Sequence, residues 1–115
     1  MATVKEFLVE RGVRRELAVE LDEIALAVHS RIVRYKRQGV EKGHILIDIG
    51  KYRHQEQKTP KSLPEMLRIA LDLVVLALNF NDRFRILEHY DIIKFNLQTA
   101  EYELTEFGRQ FYAQR

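Results

Sequence analysis

The first third of the chain carries apolar residues at helical spacing. Thr3 and Glu6 stand in the positions of a capping box, which predicts a short helix over residues 4–11. That helix should end at Gly12, since glycine readily takes the left-handed conformation after a last turn. A longer helix is predicted over residues 14–37, ended by Gly39. Its main apolar stripe recurs at intervals of three and four: Leu17, Leu21, Ile24, Val28, Ile32 and Tyr35.

This long helix has a second apolar stripe, formed by Val19, Leu26 and Val33. At 100° per residue, Val19 lies about 200° from Leu17, on nearly the opposite side of the helix. A surface helix needs one buried stripe, so the second requires cover from the chain's own elements or from a second copy. A small domain has few elements for this, so the three residues are the predicted homodimer interface.

The central segment changes from helical spacing to a β-branched run. His44 to Gly50 is almost continuously apolar and is bounded by glycines, which predicts a buried strand over residues 44–49. Residues 51–61 are polar and contain Pro60, so a loop is predicted there.

Ser62 and Glu65 repeat the capping-box spacing, with Pro64 in the first turn. The predicted helix runs to about residue 78. Its charged residues lie on one narrow stripe and the remainder is apolar, so it is predicted to be the central buried helix. Residues 79–82 are expected to break it before a further short helix over residues 83–90.

The pattern of the last quarter of the chain predicts a hairpin followed by a helix. Residues 91–97 and 102–104 are predicted strands joined by a polar turn. Thr105 is the predicted N-cap of a final helix over about residues 105–113.

The net charge of +2 over 115 residues conceals an uneven distribution. Residues 1–30 carry −2, residues 31–61 carry +6, and residues 62–115 carry −2. A basic centre between acidic flanks could attract phosphate, acidic lipid headgroups or an acidic protein face. The alternative is a solvated helix end and loop whose Lys and Arg provide solubility. Tyr35 and Tyr52 lie in this region and could stack on bases or form edges of the core.

Several classes of protein are disfavoured. The chain has no cysteine, so disulfides and thiolate metal sites are excluded. The start resembles no signal peptide, and charges interrupt the most hydrophobic stretch, residues 63–80, so we expect a cytoplasmic protein without membrane contact. The four histidines are widely separated, and His29 is expected to be a packing residue. With no catalytic motif or phosphate loop, we expect no enzyme and no cofactor.

The order helix, strand, helix, helix, strand, strand, helix, closed by Tyr102-x-Leu104-Thr105-x-x-Gly108, resembles winged-helix DNA-binding domains. The resemblance covers residues from about 13 onward. From its length we expect a single domain over residues 1–115. The resemblance implies the α+β class, mostly helical, with a three-stranded antiparallel sheet in which the first strand pairs with the wing. Phe111 would be a core anchor of the last helix.

The resemblance also implies a small DNA-binding regulator of transcription. In such domains the helix before the wing enters the major groove and exposes polar side chains to the bases. Arg83 and Arg85 are the candidates for base contacts. The predicted phosphate contacts lie elsewhere, in the basic centre: Arg31, Arg34, Lys36, Arg37, Lys51, Arg53, Lys58 and Lys61.

This chain departs from the family pattern in two ways. The helix over residues 62–78 is too apolar to read DNA, and the turn Gln98-Thr99-Ala100 lacks the Arg or Lys that a groove-probing wing commonly carries. Either the DNA surface has moved to the end of the long helix and the following loop, or the fold serves protein contacts. The second hypothesis is therefore a protein-interaction or assembly module that uses the stripe of Val19, Leu26 and Val33.

Overall fold

The computed structural model describes residues 2–53 and 62–113. Within these ranges the chain is α+β, mostly helical with a small antiparallel sheet, as predicted, but the sheet has two strands rather than three. In chain order the elements are α1 Val4–Glu10, α2 Arg15–Tyr35, α3 Lys42–Arg53, α4 Leu63–His89, β1 Ile93–Asn96, β2 Glu101–Leu104 and α5 Glu106–Gln110.

The predicted N-caps are confirmed. The Thr3, Ser62 and Thr105 side-chain oxygens each accept a hydrogen bond from a backbone N–H three residues later, at 3.1, 3.4 and 2.8 Å. Gly12 follows α1 with φ +94°, the left-handed conformation expected of it. The end of α2 differs, because Lys36 rather than Gly39 takes the left-handed conformation and its N–H donates to the Ile32 carbonyl.

The predicted strand over residues 44–49 is wrong: these residues lie inside α3. Ile45 and Ile49, one helical turn apart, are buried in the core, whereas Ile47 is half exposed. Asp48 lies on the same helix and pairs with Arg31 of α2. Packing of one helical face against α2 therefore overrides the strand preference of the β-branched run. Residues 51–53, predicted as the start of a loop, continue α3, and residues 54–61 lie outside the described part.

A single residue before the predicted strand over residues 44–49 pairs with the edge of the hairpin at β2. Val40 forms an isolated antiparallel bridge with Tyr102, in which each N–H donates to the other's carbonyl at 2.8 Å. The hairpin itself is confirmed, with Phe95 opposite Tyr102 in the register. The predicted third strand is thus reduced to a single bridge at Val40, immediately before α3.

α4 is one unbroken helix of 27 residues, so the break predicted at residues 79–82 is wrong. Leu76, Phe80 and Phe84 are buried at intervals of four residues, and this spacing continues straight through the polar segment. The Asn79 side chain donates to the Val75 carbonyl, and Asn81 accepts from Lys42. The asparagines are therefore accommodated on the helix surface while the phenylalanines hold it to the core.

The core lies between α1, α2, α3, the second half of α4 and the hairpin. The Phe84 ring stacks on Tyr102 with centroids 4.1 Å apart and meets Phe80 edge-on at 4.5 Å. Burial and, to a smaller extent, the Glu88 carboxylate raise the pKa of the Tyr102 hydroxyl. His29 stacks on Tyr112 at 4.2 Å, which agrees with its expected role in packing.

Candidate interaction surfaces

The first half of α4 carries a large exposed apolar face, so the prediction that this helix is buried is wrong. Its large side chains are 52–76% exposed. We call them the α4 apolar face: Leu63, Met66, Leu67, Leu71, Val74, Val75 and Leu78. At 100° per residue, Val74 lies about 160° from the buried Leu76, so this face points away from the core.

The same side of α4 becomes polar in the second half of the helix. Asn81 stands seven residues after Val74, and Arg85 stands seven residues after Leu78, so each continues the line of an apolar side chain. Both Asn81 and Arg85 are exposed. A helix that simply faced water would be polar along its whole length. The switch after residue 78 therefore limits the surface that needs cover to the first half of α4.

A second surface is a groove of about 490 Å³ between α2 and α3. Val19 and Leu26 line it, and Val33, the third member of the predicted dimer stripe, does not. Val19 and Leu26 are about 40% exposed and Val33 is 61% exposed. The predicted stripe is thus partly exposed, as expected for residues opposite the core side of α2. Its members do not share one surface, because Val19 and Leu26 line the groove and Val33 lies beside it.

Most of the predicted DNA-contacting arginines are engaged by carboxylates. Arg31 donates to both oxygens of Asp48, at 2.8 and 3.3 Å. The other four pairs are Arg37–Glu101 at 2.8 Å, Arg53–Glu23 at 3.2 Å, Arg83–Glu20 at 2.8 Å and Arg85–Asp82 at 4.0 Å. A paired guanidinium must lose or share its carboxylate before it can bind a phosphate, which reduces the attraction of this surface for an anion.

The remaining predicted contacts are Arg34, Lys36 and Lys51, all exposed, while Lys58 and Lys61 lie outside the described residues. Arg34 and Lys51 line the α2–α3 groove, together with the two tyrosines of the basic region, Tyr35 and Tyr52. Both tyrosines are more than half exposed. The groove lining therefore combines cations and aromatic rings with apolar side chains and with the carboxylates of Asp22, Glu23 and Asp48.

No cluster of three His, Asp or Glu side chains that could hold a metal ion occurs in the described ranges. None of the helices in those ranges is long and apolar enough to cross a membrane.

The α4 apolar face was missed from the sequence, although a signal for it exists. Leu67, Leu71, Val74 and Leu78 follow one another at intervals of four, three and four residues, the spacing of a helix that packs against another helix. On the opposite side, Leu76 and Phe80 supply the core-facing side chains. Two apolar faces on one helix suggest complete burial, whereas the described part of the chain covers only the side that carries Leu76 and Phe80.

No family model, curated protein or solved structure matches this chain.

Proposed function

We propose that this protein is a non-enzymatic protein-interaction or assembly module with a winged-helix-like architecture. The observation that carries this proposal is the α4 apolar face, where seven large side chains are more than half exposed. At roughly 80–90 Å² each they present on the order of 600 Å², and contiguous apolar patches above a few hundred Å² mark contact sites for other molecules.

The order of elements supports the architecture. Val40 pairs with the hairpin just before α3, where the lone first strand of a winged helix would stand. α4 is then the helix before the wing, the one that enters the major groove in DNA-binding members. Here the first half of that helix presents leucine, valine and methionine, which offer no hydrogen bonds to base edges or phosphates. This chemistry suits contact with an apolar protein surface.

Sizing the protein in native extracts of its own cells tests the proposal. We expect the wild-type chain in complexes heavier than its 13.7 kDa, because the α4 apolar face should be covered. The variant Leu71→Glu should shift most of the chain to monomer size, since it places a charge in the centre of that face. Arg109→Glu, at an exposed position of α5, is the control and should leave the complexes intact. A wild-type chain that is monomeric in such extracts would contradict the proposal.

DNA binding is the second candidate, and the cations and aromatic rings in the lining of the α2–α3 groove favour it. Arg34 and Lys51 belong to that lining, outside the ion pairs that engage the five paired arginines, and Tyr35 and Tyr52 line the same groove. Phosphates could bind the two cations while the rings provide stacking surfaces.

If the chain binds duplex DNA, the double variant Arg34→Ala with Lys51→Ala should weaken binding and flatten its salt dependence. Removing one cation that binds a phosphate lowers the slope of log K against log salt by about 0.9, so removing both should lower it by about 2. A titration of duplex at about 50 and about 200 mM salt measures this. Arg109→Ala should leave the slope unchanged. Absence of duplex binding by the wild-type chain at the lower salt would eliminate this candidate.

A further inference from the structure

We propose that a second copy of this chain covers the α4 apolar face, with the two α4 helices packed antiparallel about a dyad between Ala70 and Leu71. This inference rests on the proposed function and names the partner that the surface takes. The predicted dimer stripe on α2 is a different surface, so the two arrangements can be separated by experiment.

The face is complementary to itself in the antiparallel direction. It extends from Leu63 to Leu78, about 22 Å along the helix, with its midpoint between Ala70 and Leu71. A dyad at that midpoint places Leu67 opposite Val74 of the other copy. By the same symmetry, Leu63 lies opposite Leu78. Every large apolar side chain of the face therefore meets an apolar position, and small Ala70 at the centre lets the two helices approach closely.

The polar second half of α4 determines whether the two α4 helices pack parallel or antiparallel. In an antiparallel pair, the segment from Asn81 onward extends past the start of the partner's helix at Leu63, so its polar side chains do not lie against the partner's α4. In a parallel pair, the exposed Asp82, Arg85 and Glu88 would each lie beside the same residue of the other copy. Like charges brought together in this way are unfavourable, so the antiparallel arrangement is preferred.

The area is sufficient for a specific dimer. Covering the face in both copies removes roughly 1,200 Å² in total, the low end of the range of about 1,200–2,000 Å² for stable interfaces. The spacing of four, three and four residues from Leu67 to Leu78 is that of helices which interlock side chains along a shared seam. Both features agree with a helix-on-helix contact.

Measuring the solution mass of the purified chain by sedimentation equilibrium tests the dimer. We expect the wild-type mass to be twice 13.7 kDa. Leu71→Glu should raise the dimer dissociation constant by at least about 100-fold, because symmetry brings two introduced carboxylates together beside the dyad in an apolar contact. Leu67→Glu, farther from the dyad, should act in the same direction. Circular dichroism of both variants should match the wild type, since these side chains face away from the core.

The matched control is Val33→Glu on α2, where the side chain is as exposed as Leu71. It should remain dimeric. If Val33→Glu dissociates the dimer and Leu71→Glu does not, the α2 stripe is the interface and our proposal is wrong.

Cross-linking tests the direction of the helices without disturbing the apolar contact. The chain contains no cysteine, so a single introduced one can pair only with its symmetry mate. Ala70→Cys should form a disulfide-linked dimer, because its two copies lie beside the dyad. Ala77→Cys should not, because its copies would be about 20 Å apart along the helix axis, whereas disulfides need Cα atoms within about 7 Å. Cross-linking of both variants with equal efficiency would indicate a parallel pair and overturn the proposal.

The results separate this inference from the proposed function. If the purified chain is monomeric at every concentration but heavy in native extracts, the second copy is wrong and a different protein covers α4. If it is monomeric in both, the dimer and the proposed function both fail.

Discussion

Replacing Gly108 with alanine should destabilise the domain by roughly 3 kcal/mol, the upper part of the range for inserting an atom into a packed interior. A Cβ at this position would lie 2.1 Å from the Ile92 carbonyl oxygen and 3.0 Å from its carbonyl carbon. Both atoms belong to the backbone, so no side chain can rotate to make room. For a domain of this size the change corresponds to a fall in Tm on the order of 10 °C, measurable by calorimetry.

The close approach at Gly108 is part of the joint between α5 and the start of the hairpin. The Thr105 N–H donates to the Ile92 carbonyl at 3.1 Å, and its hydroxyl donates toward the Ile92 and Asp91 carbonyls. That hydroxyl also accepts from the Gly108 N–H at 2.8 Å. The extra methyl group must break these bonds or move the helix, and this explains why the cost should be large.

Gly43→Ala is the matched control for Gly108→Ala. Gly43 also lies in a helix, but nothing stands within 4 Å of its would-be Cβ. Alanine is the better helix former by about 1 kcal/mol, so this variant should be as stable as the wild type or slightly more so. Equal Tm values for the two variants would contradict the close packing at Gly108.

Replacing Phe84 with alanine should cost about 3–5 kcal/mol, the usual range for removing a buried phenylalanine. Phe84 is 1% exposed and joins three parts of the fold, since it packs on Phe80 within α4 and on Tyr102 of β2, which in turn bridges to Val40. The substitution would leave a cavity in the core and would remove the ring on which Tyr102 stacks. Chemical denaturation should show a lower midpoint with an unchanged slope.

Phe95→Ala provides the comparison for Phe84→Ala. Phe95 contacts the same Tyr102 ring, with centroids 4.9 Å apart, but it is 41% exposed. Its removal leaves no buried cavity, so the destabilisation should be below about 1 kcal/mol. A destabilisation as large as that of Phe84→Ala would mean that the hairpin, rather than the core contact with α4, dominates the stability around Tyr102.

The sequence predicted those features that depend on a few neighbouring residues. The caps at Thr3, Ser62 and Thr105, the left-handed Gly12 and the hairpin all match the structure. Each depends on a side chain and a backbone group at most three or four residues apart, or on a turn between adjacent strands. Such contacts form in almost any surrounding, so local patterns are sufficient to identify them.

Features that depend on distant packing were predicted less well. The run from His44 to Ile49 suits a strand locally, but contact with α2 selects the helix, in which Ile45 and Ile49 share a face. α4 continues through Asn79–Asp82 because Phe80 and Phe84 are held by the core. In both places tertiary contacts outweigh propensities of less than about 1 kcal/mol per residue.

The charge pattern along the sequence likewise could not show which arginines form ion pairs with distant carboxylates. Arg37 pairs with Glu101, 64 residues later, and Arg83 pairs with Glu20, 63 residues earlier. The arginines of residues 31–61 pair with Glu23 and Glu101 from the acidic flanks and with Asp48 from the same segment. The basic centre is therefore less positive in space than it is along the chain.

The continuity of α4 has a mechanical consequence. One helix of 27 residues, about 40 Å long, joins the apolar face at one end to the aromatic contact with the hairpin at the other. It has no proline after its first turn and no break at which it could bend. Because the second half of this helix is packed into the core, its exposed first half is held in a fixed direction relative to β1 and β2.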